Sequence, residues 1–390
     1  MTAIRHSDLW RFFVSGFLSV SLAACSTSDS AAPDAKEVDA PSKRIAVLAA
    51  VNKPVADSTL SDFAFEIPEP AVIETWTQNG GNTQHAVGNP ALSAVPEEIW
   101  TSSIGSGSND DFKLLSTPLV QGQTVYAMDS RGRVSAYSAS EGDRLWRTET
   151  APEDVDDDAM GGGIALDGGT LYATTGFGEV LALRAKDGTV VWRQHLGKPL
   201  RSAPTVAEGR VFAITIENET FAMEAKTGNV LWRHSGIAEN ATLMGASSPA
   251  VSGATVVVAY SSGEIFGLRA QNGRVVWGDV LASATQIGAL PAIADIRGLP
   301  VIDLGRVYSV SHSGRTASLD ERTGARAWEA DLGGVNTPCV SGNAVYMMTL
   351  DNELVALSRS TGRIIWIVEL PKYEDPADRT STPVQWFGPV

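Results

Sequence analysis

Apolar residues along this chain fall in short alternating runs rather than at helical spacing. Thr124-Val125-Tyr126-Ala127 and Arg210-Val211-Phe212-Ala213 are typical, each bounded by glycines or small polar residues. A period of two marks half-buried strands, and the Gly-rich punctuation marks tight turns. The runs belong to a larger repeat, in which an apolar stretch ending Ala/Gly/Ser-Leu is followed by a glycine and, four residues later, a tryptophan. The motif recurs as Ala136-Tyr137 with Gly142 and Trp146, Ala182-Leu183 with Gly188 and Trp192, and Ala222-Met223 with Gly228 and Trp232. It returns as Gly267-Leu268 with Gly273 and Trp277, Ser318-Leu319 with Gly324 and Trp328, and Ala356-Leu357 with Gly362 and Trp366.

Upstream of the motifs, Pro118, Pro204, Pro249, Pro291 and Pro338 each open an apolar strand, and Gly122, Gly168, Gly209, Gly253, Gly305 and Gly342 precede a second. Each unit thus holds four short strands. Four strands in roughly 44 residues is the period of a β-propeller blade, so the predicted fold is all-β, a propeller of four-stranded antiparallel blades. A blade buries little alone and must pack on its neighbours. The glycine is expected in the turn between third and fourth strands, and the tryptophan as the plug between blades. Trp100 reads as a lone fourth strand that closes the ring. Ser381-Thr382-Pro383 onward reads as the first strand of a further blade. Six complete blades and part of a seventh suggest a C-terminal truncation of a seven- or eight-bladed parent; a genuine end and a six-bladed ring is the alternative.

The N-terminus follows a different pattern. Arg5, His6 and Arg11 precede the apolar stretch from Phe12 to Ala24, which is too short to span a bilayer and suits a signal peptide, residues 1–24. Asp8 is atypical there. Leu22-Ala23-Ala24-Cys25 resembles the bacterial lipobox, which makes Cys25 the lipidated residue, and Ser26 after it favours the outer membrane. An ordinary cleavage site with a chance cysteine is the competing reading. Residues 25–70 read as a lipid-anchored flexible tether rich in Ser, Ala, Asp and Pro, interrupted by Lys43-Arg44-Ile45-Ala46-Val47-Leu48. The propeller is expected over 71–390.

Composition narrows the chemistry. With 43% hydrophobic and 19% charged residues, the 390-residue chain is globular over most of its length. A net charge of −15 repels phosphate backbones and excludes nucleic acid as a natural partner. Cys25 and Cys339 cannot form a four-thiolate site, and the five histidines show no metal-ligand spacing. The acidic run from Glu153 to Asp158 lacks the spacing of a calcium loop and reads as a solvated inter-blade loop. Gly161-Gly162-Gly163 is followed by neither a helix start nor a lysine, as a phosphate cradle would require. Cys339 reads as a small core residue. No cofactor, metal or catalytic residue is assigned, and the blade tryptophans Trp100, Trp146, Trp192, Trp232, Trp277, Trp328 and Trp366 are read as architecture.

Lys226-Thr227-Gly228 and Ser360-Thr361-Gly362, each with its tryptophan, resemble the repeat of the pyrroloquinoline-quinone-type propellers. Together with the lipobox, Lys43-Arg44-Ile45, the stretch Trp76-Thr77-Gln78-Asn79-Gly80-Gly81-Asn82 and the segment Ala294 to Val301, the chain resembles the BamB family, lipoproteins of the outer-membrane β-barrel assembly machinery. The resemblance implies an eight-bladed ring and a non-enzymatic scaffold. It implies anchorage at the periplasmic face of the outer membrane, with BamA and the other assembly components as partners and unfolded outer-membrane proteins as candidate clients. It also implies that BamA docks on one rim, through an apolar residue and an Arg before one blade and two acidic residues before another. Here Leu243 keeps the apolar place while Met244 replaces the Arg, and Asp295 keeps the first acidic place while Arg297 replaces the second. A loop residue tucked under its blade and a turn-capping carboxylate are the plainer readings of Leu243 and Asp295. The rival class is a quinoprotein dehydrogenase, which would carry a vicinal cysteine pair that Cys339 cannot form.

Overall fold

A computed structural model describes residues 53–155, 158–282, 293–378 and 380–388. Cys25, and with it the signal peptide and most of the expected tether, lies outside the described residues. Residues 53–390 form one compact unit.

That unit is a succession of six four-stranded antiparallel blades. Blade 1 holds β2 (Leu119–Gln121), β3 (Thr124–Met128), β4 (Val134–Ser138) and β5 (Arg144–Thr148), with a short β1 (Thr75–Trp76) added at the edge of β2. Blade 2 is β6 (Gly163–Asp167), β7 (Thr170–Thr174), β8 (Glu179–Arg184) and β9 (Val190–His195). Blade 3 is β10 (Thr205–Ala207), β11 (Arg210–Ile214), β12 (Glu219–Glu224) and β13 (Val230–Ser235). Blade 4 is β14 (Ala250–Ser252), β15 (Thr255–Ala259), β16 (Glu264–Arg269) and β17 (Val275–Val280). Blade 5 is β18 (Val301–Asp303), β19 (Arg306–Ser311), β20 (Arg315–Asp320) and β21 (Arg326–Ala330). Blade 6 is β22 (Cys339–Ser341), β23 (Ala344–Met348), β24 (Glu353–Ser358) and β25 (Ile364–Glu369). The second and third strands are almost wholly buried, whereas the fourth alternates. The core therefore lies between blades: Met128 and Val134 of blade 1 pack with Leu171 and Leu181 of blade 2, and later pairs follow suit.

The glycine and the tryptophan form one joint. Gly142, Gly188, Gly228, Gly273, Gly324 and Gly362 sit at φ +69° to +77°, where only glycine is unstrained. Each supports the indole of the preceding blade so closely that a Cβ would come within 2.4–2.7 Å of the ring. The indole Nε1 then donates to a carbonyl of the same turn at 2.8–3.0 Å, from Trp146 to Ala185 and from Trp328 to Arg359, for example. An aromatic residue of the second strand meets the indole of its own blade at 5.9–6.1 Å, as in Tyr126–Trp146 and Phe212–Trp232. Beside each tryptophan the ladder slips by one residue, and the residue opposite is Ala, Gly or Ser. In blade 4 that residue is Gly267, where a Cβ would lie 2.3 Å from the Trp277 ring.

Trp100 takes the same seat on Gly142 and donates to Ala139 O at 2.9 Å, but no strand forms around it. The plug is present without the ladder expected of a fourth strand. Two further expectations shift. β18 is opened by Pro300, not Pro291, which lies outside the described residues. After β25 the chain turns back on itself through a lone Tyr373–Pro383 bridge, and Trp386 Nε1 donates to Pro371 O at 2.8 Å. The stretch read as a first strand thus bonds to its own approach, with Glu374 N donating to Thr382 O at 3.0 Å and Val384 N to Lys372 O at 3.1 Å.

The tether reading stops short of residue 70. Lys53 to Glu66 lies on blade 6: Asp57 N donates to Ile364 O at 2.8 Å, Asn343 Nδ2 donates to Ala64 O at 2.9 Å, and Asp57 pairs with Arg363. Leu60 and Phe63, like Tyr346 and Trp366, pack against the buried cluster of Ala344, Ala356 and Ile365 in blade 6. Two apolar residues at that spacing in a polar stretch are too faint to reveal a docking segment.

The stretch from Trp76 to His85 crosses the inner edges of five blades. Val120, Leu166, Val206, Val251, Ile302 and Val340 are equivalent by register in the six innermost strands. Trp76 pairs with Val120 in β1–β2. Thr77 O accepts from Leu166 N at 2.8 Å, and Gln78 Oε1 from Val206 N at 3.1 Å. Thr83 O accepts from Val251 N at 2.6 Å, and Gln84 O from Ile302 N at 2.9 Å. Inner-strand N–H groups otherwise left without a ladder are satisfied one blade at a time.

Candidate functional site

The loops that join blade 3 to blade 4 and blade 4 to blade 5 meet on one rim, and they bring Leu243, Met244, Asp295 and Arg297 together. Asp295 is only 2% exposed; its Oδ2 accepts from Leu243 N at 2.8 Å, and its own carbonyl accepts from His312 N at 2.9 Å. Burial pushes its carboxyl above the usual range, offset in part by the Leu243 N–H and by the charges of His312 and Arg297. Asp295 therefore pins one loop to the other and is not offered to a partner, which corrects its expected role as a contact. The clasp is completed by Ser247 Oγ, which donates to Gly298 O at 3.1 Å, and by Arg297, whose Nε would lie 3.1 Å from a Cβ at Gly245. Met244 stands 42% exposed at the crest, with Leu243 and Arg297 half-buried beside it.

Sequence reasoning missed the foot of this rim. Ile237, 60% exposed, is held by Glu264 Oε2 accepting its N–H at 2.7 Å and by Asn218 Nδ2 donating to its carbonyl at 2.6 Å. Behind it the His234 ring stacks on Tyr260 at 5.9 Å and 7°, and Tyr260 Oη bonds with both His234 Nδ1 at 2.8 Å and Thr220 Oγ1 at 2.7 Å. Burial lowers the His234 pKa, against the pull of Glu264, and raises that of Tyr260. These residues come from two blades and share no local motif. Only the exposed apolar Ile237 in a polar loop was a readable signal.

The other candidates are built for structure. Gly161, Gly162 and Gly163 spend their N–H groups on Ser130 O, Thr174 O and Thr174 Oγ1, leaving none for a phosphate. In the acidic loop Asp158 pairs with Arg131 at 2.8 Å, while Asp156 and Asp157 lie outside the described residues. Among the described residues no three His, Cys, Asp or Glu side chains gather as a metal site. Cys339 is a half-buried free thiol whose pKa burial pushes up. Trp146, Trp192, Trp232, Trp277 and Trp328 are spent in joints, as is Trp100, and Trp366 packs on Tyr346 and the buried cluster of blade 6.

Comparison with known proteins agrees with this architecture. A family model described as outer membrane protein assembly factor BamB matches residues 89–159 and 130–368. A BamB of Alkalilimnicola ehrlichii is 42% identical over 69% of this chain and 69% of its own length. That of Escherichia coli K12 is 29% identical over 70% of each. The crystal structure of BamB from Moraxella catarrhalis superposes with a TM-score of 0.60 at 23% identity, covering 69% of this chain and 78% of the other, and supports the propeller fold. Six Gly–Trp joints, the propeller they build and the family match over most of the chain converge on one conclusion: the chain belongs to the outer membrane protein assembly factor BamB family.

Proposed function

We propose that this chain is a non-enzymatic scaffold of the outer-membrane β-barrel assembly machinery, held at the periplasmic face by a lipid on Cys25. On this reading it binds the periplasmic domains of BamA through the rim of Leu243, Met244 and Arg297. The observation that carries it is the clasp of Asp295 on Leu243 N, which presents an exposed methionine on a preformed loop pair. Ordering the loops in advance lowers the entropy lost on binding, and an apolar crest flanked by a cation suits a desolvated contact. The quinoprotein reading has less support, because the inner edges of five blades are occupied by the chain's own residues Trp76 to Gln84.

The test is a binding titration with BamA periplasmic domains beside a thermal melt of the same full chain. Met244→Glu combined with Arg297→Glu is expected to weaken binding about tenfold or more, with an unchanged melt. Undiminished affinity in a folded variant excludes this rim.

A further inference from the structure

The six innermost strands are equivalent, yet their register-equivalent N–H groups are not treated alike. Val120 lies in the β1–β2 ladder, and Leu166, Val206, Val251 and Ile302 donate to Thr77 O, Gln78 Oε1, Thr83 O and Gln84 O. Val340 of β22 holds the same register, opposite Val345, but among the described residues its N–H meets no acceptor. An unpaired inner edge is a template for another strand. Blade 1 shows the template in use, because β1 adds to this edge antiparallel.

The edge opens on space. Cys339 and Val340 border a cavity of about 830 Å³ whose wall includes Trp76, Leu115, Val120, Leu299 and Val335. Arg201 and Arg297 stand on the same wall; Arg201 enters no hydrogen bond or ion pair among the described residues, and Arg297 has only the charge of the buried Asp295 near it. Apolar walls, a free strand edge and an arginine outside any ion pair define a chemistry: an extended backbone with apolar side chains and an anionic group. An isolated apolar small molecule would leave the N–H and Arg201 unanswered.

We propose that the inner edge of blade 6, centred on Val340, is a strand-addition site for an extended apolar peptide segment of another protein that carries a carboxylate. This site shares Arg297 with the rim but is centred on the strand edge of blade 6, and it stands whether or not Met244 contacts BamA. Affinity comes from main-chain hydrogen bonds, with the cavity wall accepting alternate side chains and Arg201 selecting the acidic group.

The test uses the full chain and an eight-residue peptide of alternating valine and threonine, with a fluorescent N-terminus and a free C-terminal carboxylate. Two further peptides carry N-methyl groups on alternate nitrogens, one series blocking each edge of the strand. Saturable binding is expected for the parent peptide, with about a tenfold loss for one methylated series and little change for the other. Amidation of the C-terminus should weaken binding several-fold, and Arg201→Ala should shrink that difference. Hydrogen exchange supplies a readout without ligand: the Val340 amide should exchange faster than those of Leu166, Val206, Val251 and Ile302, and slow when peptide is added. Equal binding by both methylated series overturns the proposal, as does the lack of saturable binding by any peptide. A Val340 amide as protected in the free protein as its four counterparts also overturns it, since the edge would then be filled by the chain itself.

Discussion

Neighbouring blades are held together twice, at the periphery and at the centre, by different physics. The outer joint is an indole set on a left-handed glycine, repeated six times with one geometry. The inner contact is polar, and five blades meet different residues of one segment: a strand pair at blade 1, the carbonyls of Thr77, Thr83 and Gln84 at blades 2, 4 and 5, and the Gln78 side-chain amide at blade 3. The apolar joint can repeat because shape alone specifies it, and identical shapes serve every interface equally. The inner contact cannot repeat, because one extended segment must supply a new acceptor for each blade it passes. Repetition in the sequence therefore marks the periphery and is silent about the centre.

The largest break is expected at a joint. Trp277→Ala removes a buried indole between blades 4 and 5 and should cost ~3–5 kcal/mol in chemical denaturation, with little dependence on pH. A loss below about 1 kcal/mol would mean that the joint relaxes and that the centre carries the stability. The central segment, in contrast, should be acid-sensitive. His85 is buried with Nδ1 2.8 Å from Pro300 O, and burial lowers its pKa from 6.5 to about 4. The unfolded chain then binds the proton more readily, so stability is retained above pH 6.5 and lost as pH falls toward 4. That loss should be about 3 kcal/mol at ~1.4 kcal/mol per pKa unit, and it should vanish in His85→Gln. A pH-independent wild type would place the acid-labile groups elsewhere. The smallest of the three effects is at Gln78, whose amide donates to Val206 O at 3.2 Å and accepts from Val206 N at 3.1 Å. Gln78→Leu strands those buried groups and should cost about 2 kcal/mol, localised by hydrogen exchange to blade 3. Protection spread evenly over all blades would contradict a blade-by-blade division of labour.

The same division decides which features are legible in the amino-acid sequence alone. Strand order, blade boundaries and the joint are legible because Gly and Trp recur at one offset and each has a single physical job. Alignment fails where a repeat carries two prolines: Pro300 opens β18, and nothing local separates it from Pro291. The rim loops are legible, but the role of Asp295 is not, since burial of a carboxylate depends on a partner N–H supplied by Leu243, 52 residues away. The central segment reads as irregular chain ahead of the first blade. Its hydrogen bonds run to four later blades, and no window of sequence holds both ends.

The central segment also has a consequence for how the molecule assembles. The six joint tryptophans donate to carbonyls 31–44 residues downstream, so the outer joints close short loops. Gln78 reaches Val206 across 128 residues, Asn79 reaches Ser248 across 169, and His85 reaches Pro300 across 215. Loop-closure entropy and contact order favour the short closures first. The blades should therefore stack in chain order as the polypeptide emerges into the compartment where it folds, while residues 76–85, ahead of all of them in the chain, wait for their acceptors and donors to arrive. The earliest part of the propeller to be synthesised is then among the last to find its place.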